Sequence, residues 1–462
     1  MTRRLPLAVV SALAAFAALA PLAAAAKPAP GTLTQLRGKA GCLVDRSAKP
    51  GTCARARALK GPGPFMGSRA IAVSPDGRNV YVASAGSDAV AIFTRNRKSG
   101  ALTQSQGKAG CVSARGASGC AKVVGIDGPN SVAVSPDGRN VYVTSRDSST
   151  LLSFRRNPKT GALHPIPGAT CITGIPTPLF CAVANGMITP DVVVVSPDGA
   201  NVYVGAFFGN SVASFARDPG SGALTQLSGT AGCIAEATAH CATGNALQAI
   251  EGLAISGDGA TVYAAAAVSN GVAVLTRDPA TGALSQATGG SGCIIETALL
   301  GGCTHGRELA GANAAVVSPD DGNLYVTSLL SNSVTAFDRN AGSGALVQKE
   351  ATNACLVFLR SAGCSFGRAL EGPEGIDVSP DGRNVYVASF RTGAIDVLAR
   401  NAKGAVRQLP GKAGCVGRGQ VQGCTPGRVL AGVSSVAVSP DGRNVYATAF
   451  ESNAVDVFRR NR

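Results

Sequence analysis

The pattern of hydrophobic and polar positions repeats along the chain about every 61 residues. In one copy, residues 131–138 (SVAVSPDG) alternate apolar and polar side chains into a turn, and residues 140–145 (NVYVTS) alternate out of it. Residues 150–154 (TLLSF) and 161–166 (GALHPI) complete the unit. Short segments of period two, separated by Gly, Pro, Asn and Asp, predict four antiparallel strands per copy, here called strands A to D.

The copies are counted from the serine of the Ser-Pro-Asp-Gly turn that joins strands A and B. This serine recurs at steps of 60 to 62 residues, at Ser74, Ser135, Ser196, Ser256, Ser318, Ser379 and Ser439. Four strands per copy and seven copies predict an all-β fold, a seven-bladed β-propeller. The last copy stops after strand C, and residues 31–36 (GTLTQL) resemble its missing strand D. We therefore expect the N-terminal strand to close the ring.

The N-terminus predicts export. Arg3 and Arg4 precede an apolar run, and Ala24 to Ala26 form an A-x-A type cleavage site, so residues 1–26 are interpreted as a signal peptide cleaved near Ala26. No later stretch is long and apolar enough to span a bilayer. We expect a secreted, monomeric protein whose residues 27–462 form the propeller. Its blade cores are predicted near 69–111, 130–171, 191–233, 251–293, 313–355, 374–415, and 434–462 completed by 31–42.

The fourteen cysteines fall into seven close pairs, one in each copy. The pairs are Cys42 with Cys53, Cys111 with Cys120, Cys171 with Cys181, Cys233 with Cys241, Cys293 with Cys303, Cys355 with Cys364, and Cys415 with Cys424. In an exported chain this spacing predicts one short-range disulfide per blade. A metal site is disfavoured, because each copy has two sulfurs at variable spacing and the three histidines do not recur with them. Calcium is also disfavoured, because each turn offers one carboxylate. We expect no metal and no cofactor.

Two side chains are the same in all seven copies. A tyrosine follows each serine by seven residues, at Tyr81, Tyr142, Tyr203, Tyr263, Tyr325, Tyr386 and Tyr446. An arginine follows it by 21 residues, at Arg95, Arg156, Arg217, Arg277, Arg339, Arg400 and Arg460. A residue that every blade has is interpreted as framework, with the tyrosine packing between sheets and the arginine bonding at a turn. In the turn itself, the glycine is expected to adopt a left-handed conformation. In the fifth copy Asp321 stands in place of this glycine, and aspartate is one of the few residues that tolerate that conformation.

The copies differ at the position five residues before each serine, where strand A begins beside the central channel. This position holds Arg69, Asn130, Asp191, Glu251, Asn313, Glu374 and Ser434. All seven are polar, although the positions three and one before the serine are apolar. A polar ring of unlike residues predicts a ligand-binding site at the channel mouth. The alternative is a water-filled channel lined by solvated side chains.

A second set of unlike residues starts the loop between strands B and C, on the same face as that ring. Large apolar side chains predict a partner-binding surface there, formed by Phe207, Phe208, Leu329, Phe390 and Phe450. The alternative is that these side chains pack under the cysteine loops as small hydrophobic clusters.

The repeat resembles a known family. Residues 372–409, GPEGIDVSPDGRNVYVASFRTGAIDVLARNAKGAVRQL, and their sister copies are similar to the lactonase-type seven-bladed propellers and the related YVTN repeats. The resemblance implies lactone hydrolysis or muconate cyclisation by channel-facing His, Arg and carboxylate groups. The histidine of that family is expected where Arg69 and its counterparts stand, and none of these is histidine. The alternative catalytic site consists of carboxylates and one arginine, namely Asp191, Glu251, Glu374 and Arg69.

The net charge of +15 predicts a positive surface, which we expect to be spread evenly by the hairpin arginines and the Asp-Gly-Arg-Asn turns. No basic run with interleaved aromatic residues is present, so no specific nucleic-acid site is predicted. Two hypotheses remain. The protein is a binding or scaffold module for a small molecule, a protein or an envelope component, or it is a lactonase-like hydrolase or cyclase with a rearranged channel site.

Overall fold

The computed structural model describes Thr2 and residues 28–49, 51–63, 69–176, 181–236, 238–296, 302–419 and 421–462. The predicted signal peptide lies outside the described residues, apart from Thr2. Seven sheets follow one another along the chain, each antiparallel except for its outermost strand, and strand A of each sheet lies at the centre of a ring. The predicted all-β, seven-bladed propeller is confirmed. Within the described residues, no helix is long and apolar enough to cross a membrane.

Strand A is the innermost strand of each sheet and lines the central channel. From blade 1 to blade 7 it spans Ile71–Val73, Pro129–Val134, Pro190–Val195, Ile250–Ile255, Ala312–Val317, Pro373–Val378 and Val433–Val438. Strand B is buried throughout and spans Asn79–Ser84, Asn140–Ser145, Asn201–Ala206, Thr261–Ala266, Asn323–Ser328, Asn384–Ser389 and Asn444–Ala449. Strand C spans Ala89–Arg95, Thr150–Arg156, Ser211–Arg217, Gly271–Arg277, Ser333–Arg339, Ala394–Arg400 and Ala454–Arg460.

Strand D is divided into two short pieces that pair with opposite ends of strand C. The first piece spans Leu102–Gln104, Leu163–Pro165, Leu224–Gln226, Leu284–Gln286, Leu346–Gln348, Val406–Gln408 and, for blade 7, Leu33–Gln35. The second begins at a cysteine and spans Cys111–Ser113, Cys171–Thr173, Cys233–Ala235, Cys293–Ile295, Cys355–Val357, Cys415–Arg418 and, for blade 7, Cys42–Asp45. Between the two pieces, most blades have a 3-10 turn, at Gly38–Gly41, Gly107–Gly110, Gly229–Gly232, Gly289–Ser291, Ala351–Asn353 and Gly411–Gly414.

A short outermost strand runs parallel to the cysteine strand at the edge of each sheet. It spans Ala121–Lys122, Ala182–Val183, Ala242–Thr243, Thr304–His305, Ser365–Phe366, Thr425–Gly427 and, for blade 7, Ala54–Ala56. Two further 3-10 turns, Ala85–Ser87 and Ala117–Gly119, lie in blade 1.

The disulfides join the cysteine strand to the residue that precedes the outermost strand. All seven predicted pairs are bonded, and each closes a segment within one blade. The bonds are Cys42 to Cys53, Cys111 to Cys120, Cys171 to Cys181, Cys233 to Cys241, Cys293 to Cys303, Cys355 to Cys364, and Cys415 to Cys424. The prediction of one short-range disulfide per blade is confirmed. Each bond therefore restrains the outer edge of one sheet.

The N-terminal segment completes blade 7, as the sequence predicts. Leu33 pairs with Arg460, and Cys42 pairs with Asp456, both antiparallel. The hydroxyl of Tyr386 in blade 6 donates to the carbonyl of Gly31 at 2.9 Å. This closure pairs both ends of the chain within one sheet, so strand C of blade 7 is not left as an open edge that could recruit other chains.

The uniform tyrosine and arginine are partners across the interface between neighbouring blades. Between blades 1 and 2, Arg156 Nε donates to Tyr81 Oη at 2.9 Å, and Arg156 Nη2 donates to the Asp76 carboxylate at 2.8 Å. Tyr81 Oη in turn donates to the carbonyl of Gly161 at 2.9 Å. The same arginine and tyrosine contact occurs as Arg217–Tyr142, Arg277–Tyr203, Arg339–Tyr263, Arg400–Tyr325, Arg460–Tyr386 and Arg95–Tyr446.

Two exceptions to the turn sequence compensate each other. The turn glycines have positive φ, such as 66° at Gly77, and Asp321 takes the same conformation at 56°. Asp321 also accepts backbone N–H groups of Gly257, at 2.6 Å, and Asp258, at 2.9 Å, in the preceding blade. Gly257 stands where the other turns have proline, which has no N–H to donate. The two departures therefore form one contact.

The propeller has two different faces. The A-to-B turns and the C-to-D hairpins lie on one side, here called the hairpin face. The B-to-C loops and the starts of the A strands lie on the other, here called the loop face. The Arg–Tyr–Asp contacts belong to the hairpin face and are present in every interface, so the side chains that differ between blades are the candidates for function.

Candidate functional site

The polar residue at the start of strand A occupies a β-bulge in six blades. The register between strands A and B shifts at Asn130, Asp191, Glu251, Asn313, Glu374 and Ser434. In blade 1, the regular strand starts later, at Ile71, and Arg69 accepts the N–H of Val132 through its carbonyl at 3.0 Å. A bulge changes the direction of one side chain, and this explains how a polar residue fits beside apolar neighbours.

Six of the seven ring residues are closed off from solvent. Asn130, Asp191, Asn313 and Ser434 are 0% exposed, and Glu251 and Glu374 are 1% exposed. Arg69 alone is half-buried. The side chains therefore lie inside the inner wall of the propeller rather than in an open, water-filled mouth. The role of these seven residues as a ligand-binding ring stays a prediction.

The neutral members of the ring bond across neighbouring blades. Asn130 Nδ2 donates to the carbonyl and to Oδ1 of Asp191, at 3.1 and 3.0 Å. Asn313 Nδ2 donates to the carbonyl of Pro373 at 3.0 Å, and Asn313 Oδ1 accepts from Thr327 at 2.8 Å. These bonds satisfy buried polar groups and join the inner strands of adjacent blades.

Asp191, a member of the ring, forms an ion pair with Arg146. Arg146 Nε lies 3.7 Å from Asp191 Oδ1. Burial raises the pKa of Asp191 to about 7, and the Arg146 charge acts in the opposite direction. Arg146 starts the B-to-C loop of blade 2, its side chain is 24% exposed, and its guanidinium lies 4.9 Å from the centre of the Phe207 ring. It therefore connects the buried carboxyl with the surface of the loop face.

The carboxyl groups of the ring influence one another. Burial raises the pKa of Glu251 well above its usual range, the charges of Asp191 and Glu374 raise it further, and Arg146 lowers it. Carboxyl groups with raised pKa values in one cluster are typical of functional sites, because they can hold or release a proton near neutral pH. The arrangement could act as an acid or a base, or bind a cation.

The channel is nearly closed next to the ring. A Cβ on Gly252 would lie 2.7 Å from Cα of Ala314, and one on Gly375 would lie 2.6 Å from the carbonyl oxygen of Ser434. The inner strands therefore approach each other closely, and the cavity that remains at this level measures about 10 Å³. Towards the hairpin face, the channel widens to a cavity of about 270 Å³.

Sequence reasoning missed one charged group in that wider cavity. Asp377 stands two residues before its serine, where the other copies have alanine or valine. Its carboxylate accepts the N–H of Val438 at 2.7 Å and of Val378 at 2.9 Å. Burial raises the pKa of Asp377, and the charge of Arg69, which lines the same cavity, lowers it. The one aspartate at a position that is otherwise alanine or valine was the feature of the sequence that could have predicted this group.

The predicted loop-tip residues differ in exposure. Phe207, Leu329, Phe390 and Phe450 are half-buried, whereas Phe208 is 67% exposed. The rings of Phe207 and Phe208 are edge-to-face at 5.0 Å, and those of Phe390 and Phe450 lie 6.4 Å apart. The first loop residue is therefore partly covered, and the next residue projects outward. The alternative, in which these side chains pack under the cysteine loops, stays a prediction.

Three adjacent blades expose a large apolar side chain at this next position, twelve residues after the serine. Phe208, Val268 and Leu330, of blades 3 to 5, are 67, 59 and 65% exposed. The other four blades have Gly86, Asp147, Arg391 and Glu451 there, all exposed. We call Phe208, Val268 and Leu330 the apolar arc. Of the three arc residues, only Phe208 belongs to the surface predicted from the sequence, because that prediction took the preceding residue of each loop as the tip.

Comparison with known proteins identifies the repeat. Residues 61–175 match the family model described as Lactonase, 7-bladed beta-propeller. A search of curated proteins finds no match. Among solved structures, the periplasmic gluconolactonase of Pseudomonas aeruginosa is similar, with a TM-score of 0.51 and 20% identity over 80% of this chain and 88% of that one.

Other solved structures with the same fold have different descriptions. Hydrazine synthase of Kuenenia stuttgartiensis is similar with a TM-score of 0.53 and 19% identity, over 86% of this chain and 96% of that one. A protein of unknown function from Desulfotomaculum acetoxidans has a TM-score of 0.50 and 16% identity, over 84% and 91%. The resemblance to the lactonase-type seven-bladed propellers is therefore confirmed in sequence over residues 61–175, and the solved structures show the fold alone over most of the chain.

Proposed function

We propose that the protein is an exported binding module whose loop face holds a protein partner. The observation that supports this proposal is the apolar arc. Phe208, Val268 and Leu330 occupy the same position on three consecutive blades, and each is more than half exposed. Scattered apolar side chains are ordinary on a protein surface, but a row of three in equivalent positions is not.

The surroundings of the apolar arc favour a protein over a lipid. The equivalent positions on the blades beside the arc carry Asp147 and Arg391, and Arg146 adjoins the arc through Phe207. An apolar centre with a rim of both charge signs is the usual composition of a protein interface. A membrane surface would instead favour an excess of lysine and arginine around the apolar residues.

The framework suits this function because it holds the loops rigidly. Each B-to-C loop connects two fully paired strands, and the disulfides restrain the outer edge of every sheet. Little conformational entropy is then lost when a partner binds, so a modest apolar surface can support measurable affinity. The disulfides also favour an oxidising compartment, and the similar gluconolactonase is described as periplasmic.

Cross-linking at the arc tests this proposal. A photoreactive phenylalanine analogue at position 208 should cross-link a partner from an envelope extract of the source cells. Replacing the neighbouring Val268 and Leu330 by serine should reduce that cross-link at least about tenfold, because these two side chains contribute apolar contact area. The matched control replaces Val183 and Val347, which are 60 and 66% exposed away from the arc.

The control variant should retain the cross-link. Equal loss in the arc variant and the control variant would contradict the proposal, as would a cross-link that survives both. The free energy of unfolding of both variants should change by less than about 0.5 kcal/mol, because exposed residues contribute little to folding. This measurement separates loss of binding from loss of structure.

The second candidate function is lactone hydrolysis at the buried carboxyl cluster. The observation that favours it is the raised pKa of Asp191, about 7, beside Arg146. A carboxylate of this kind could take a proton from an attacking water, and the guanidinium could stabilise the negative oxygen that develops on a lactone carbonyl. The family match and the similar gluconolactonase support testing lactones first.

A lactone panel tests this second function. Asp191→Asn and Glu251→Gln should each lower turnover of a gluconolactone or a phosphogluconolactone at least about a hundredfold, the typical contribution of a general acid or base. Asp396→Asn is the matched control, because Asp396 is a fully buried carboxyl with a raised pKa outside the ring. Hydrolysis at the uncatalysed rate by the unmodified protein, or an equal loss in the control, would exclude catalysis at this cluster.

A further inference from the structure

The hairpin face has a strong charge asymmetry. At four exposed positions of its turns and hairpins, blades 7, 1 and 2 carry three cations each. These nine residues, which we call the basic arc, are Arg443, Arg459, Arg462, Arg78, Arg97, Lys98, Arg139, Arg155 and Lys159. Blade 6 has Arg383 and Lys403 at these positions, and blades 3 to 5 have no cation there.

The asymmetry corrects the even spread of charge expected from the sequence. The sequence predicts that the hairpin arginines contribute to a diffuse positive surface, but their side chains are only 0 to 7% exposed in the ion pairs of the framework. The Asp-Gly-Arg-Asn turns occur in blades 1, 2, 6 and 7 only. The positive charge that faces solvent is therefore concentrated on one side of the ring.

The basic arc lacks compensating carboxylates. The only acidic side chains in the turns and hairpins of blades 7, 1 and 2 are Asp441, Asp76 and Asp137, and each is held by a framework arginine. Within the described ranges, no residue of the basic arc takes part in an ion pair. The corresponding turns and hairpins of blades 3 to 5 contain seven aspartates and three arginines. The two sides of one face thus have opposite sign.

A groove lies in the middle of the basic arc. It has a volume of about 820 Å³, and five residues of the basic arc from three blades line it, namely Arg78, Arg97, Lys98, Lys159 and Arg443. Asp441 also lines the groove, where it is paired with Arg95. The hairpin of blade 2 reaches back over blade 1, where Gly161 accepts the Tyr81 hydroxyl, and this places Lys159 beside cations of blade 1. The groove has no aromatic side chain in its lining.

We propose that the basic arc binds a linear polyanion with closely spaced phosphate groups, held along the groove and the neighbouring blades. Arginine forks match phosphate oxygens in pairs, and the seven arginines of the arc exceed the needs of a single small anion. The lack of aromatic residues disfavours a single-stranded nucleic acid bound through its bases, because such sites use stacking. This surface is on the face opposite to the apolar arc and does not depend on the proposed partner site.

Inorganic polyphosphate of about a hundred units is a suitable probe, measured by isothermal titration at several salt concentrations. For the unmodified protein, the logarithm of the binding constant should fall linearly with the logarithm of the salt concentration, because counterions are released. The triple variant Arg78→Ser, Arg97→Ser and Arg443→Ser should bind at least about tenfold more weakly at low salt. Its salt slope should fall by about 2 to 3, since each lost phosphate contact removes nearly one unit.

The matched control is the triple variant Lys39→Ser, Lys108→Ser and Lys412→Ser. It removes the same net charge from exposed positions in the turns between the two pieces of strand D. We expect its affinity for polyphosphate to remain within about threefold of the unmodified protein, because these lysines lie away from the groove. Equal weakening in both triple variants would overturn the proposal in favour of diffuse attraction. Absence of binding at low salt would overturn it as well, and so would tighter, less salt-dependent binding of single-stranded DNA.

Discussion

The two faces of the propeller use the same repeat in different ways. On the hairpin face, every blade interface has the same arginine, tyrosine and aspartate contact, as in Arg156 with Tyr81 and Asp76. On the loop face, the equivalent positions hold unlike residues, such as Asn130 and Glu251 in the ring. What every copy shares holds neighbouring blades together, and what differs between copies is available for function.

The pKa values of the framework aspartates and of the loop-side carboxyls are shifted in opposite directions. Partial burial acts to raise the pKa of Asp76, but hydrogen bonds from Ser74 and Arg156 hold it below its usual value. On the loop side, burial without a full set of donors raises the pKa of Asp191 to about 7 and of Asp396 to about 8. A carboxylate that joins blades is thus kept ionised, and the loop-side carboxyls keep their protons to a higher pH than an ordinary aspartate.

The largest expected effect compares two arginines of blade 2. Arg156→Met removes a buried charge from the framework and leaves Asp76, Asn79 and Tyr81 without their shared donor. We expect the free energy of unfolding to fall by about 3 to 5 kcal/mol, because several hydrogen bonds to one buried guanidinium are lost together. Arg146→Met, on the loop face, should lower it by less than about 1 kcal/mol, because the buried Asp191 carboxyl, whose pKa is already about 7, can take up a proton when the guanidinium is removed. Urea unfolding of both variants measures the difference. An equal loss of unfolding free energy in both would contradict the view that the Arg156 contacts are a main source of stability between blades.

The second prediction concerns pH and the Asp396 carboxyl. Asp396 accepts from Gln408 at 2.7 Å and contacts the Ser389 hydroxyl at 2.8 Å. The folded protein holds this proton up to about pH 8, whereas an unfolded aspartate releases it near pH 4. Between these values the folded state binds more protons, so the free energy of unfolding falls as pH rises, by about 1.4 kcal/mol per pH unit for this group.

Asp396→Asn should remove that dependence, because an amide can accept from Gln408 and donate to Ser389 as the protonated acid does. Relative to the unmodified protein, the variant should gain about 2 to 3 kcal/mol of stability as pH rises from about 5.5 to about 7.5. Asp76→Asn is the opposite case. The loss of unfolding free energy in Asp76→Asn should be complete above about pH 4 and should shrink as pH falls, since the folded state lowers the pKa of Asp76. Parallel pH curves for Asp396→Asn and the unmodified protein would contradict the assignment.

The sequence was sufficient to predict the fold, because each of its signals is local. The period of the Ser-Pro-Asp-Gly turn predicts seven blades, the cysteine spacing predicts seven disulfides, and residues 31–36 predict the closing strand. The burial of the ring could not be predicted in this way. A bulge at Asp191 or Glu251 turns one side chain without altering the alternation of its neighbours, so the pattern gives no sign of it.

The contacts between blades were missed for a similar reason. Tyr81 and Arg156 are uniform, and the sequence identifies each as framework, but they belong to different copies and lie 75 residues apart. Their pairing depends on how one sheet twists against the next, which no local pattern contains. The apolar arc depends on which of two successive loop residues projects outward, and Phe207 and Phe208 differ only in that respect.

The smallest expected effect tests whether the two turn exceptions form one contact. Gly257→Pro alone removes an N–H that Asp321 accepts at 2.6 Å, and even a Cβ at Gly257 would lie 3.0 Å from Asp321 Oδ2, so the variant should lose about 1 to 2 kcal/mol of unfolding free energy. Asp321→Gly alone should change stability by less than about 0.5 kcal/mol, because relief of the left-handed aspartate offsets the lost bonds. The double variant restores the turn sequences of the other blades and should regain most of the loss. A coupling energy of about 1 kcal/mol in the double-mutant cycle is expected, and strict additivity would mean that the two departures are unrelated.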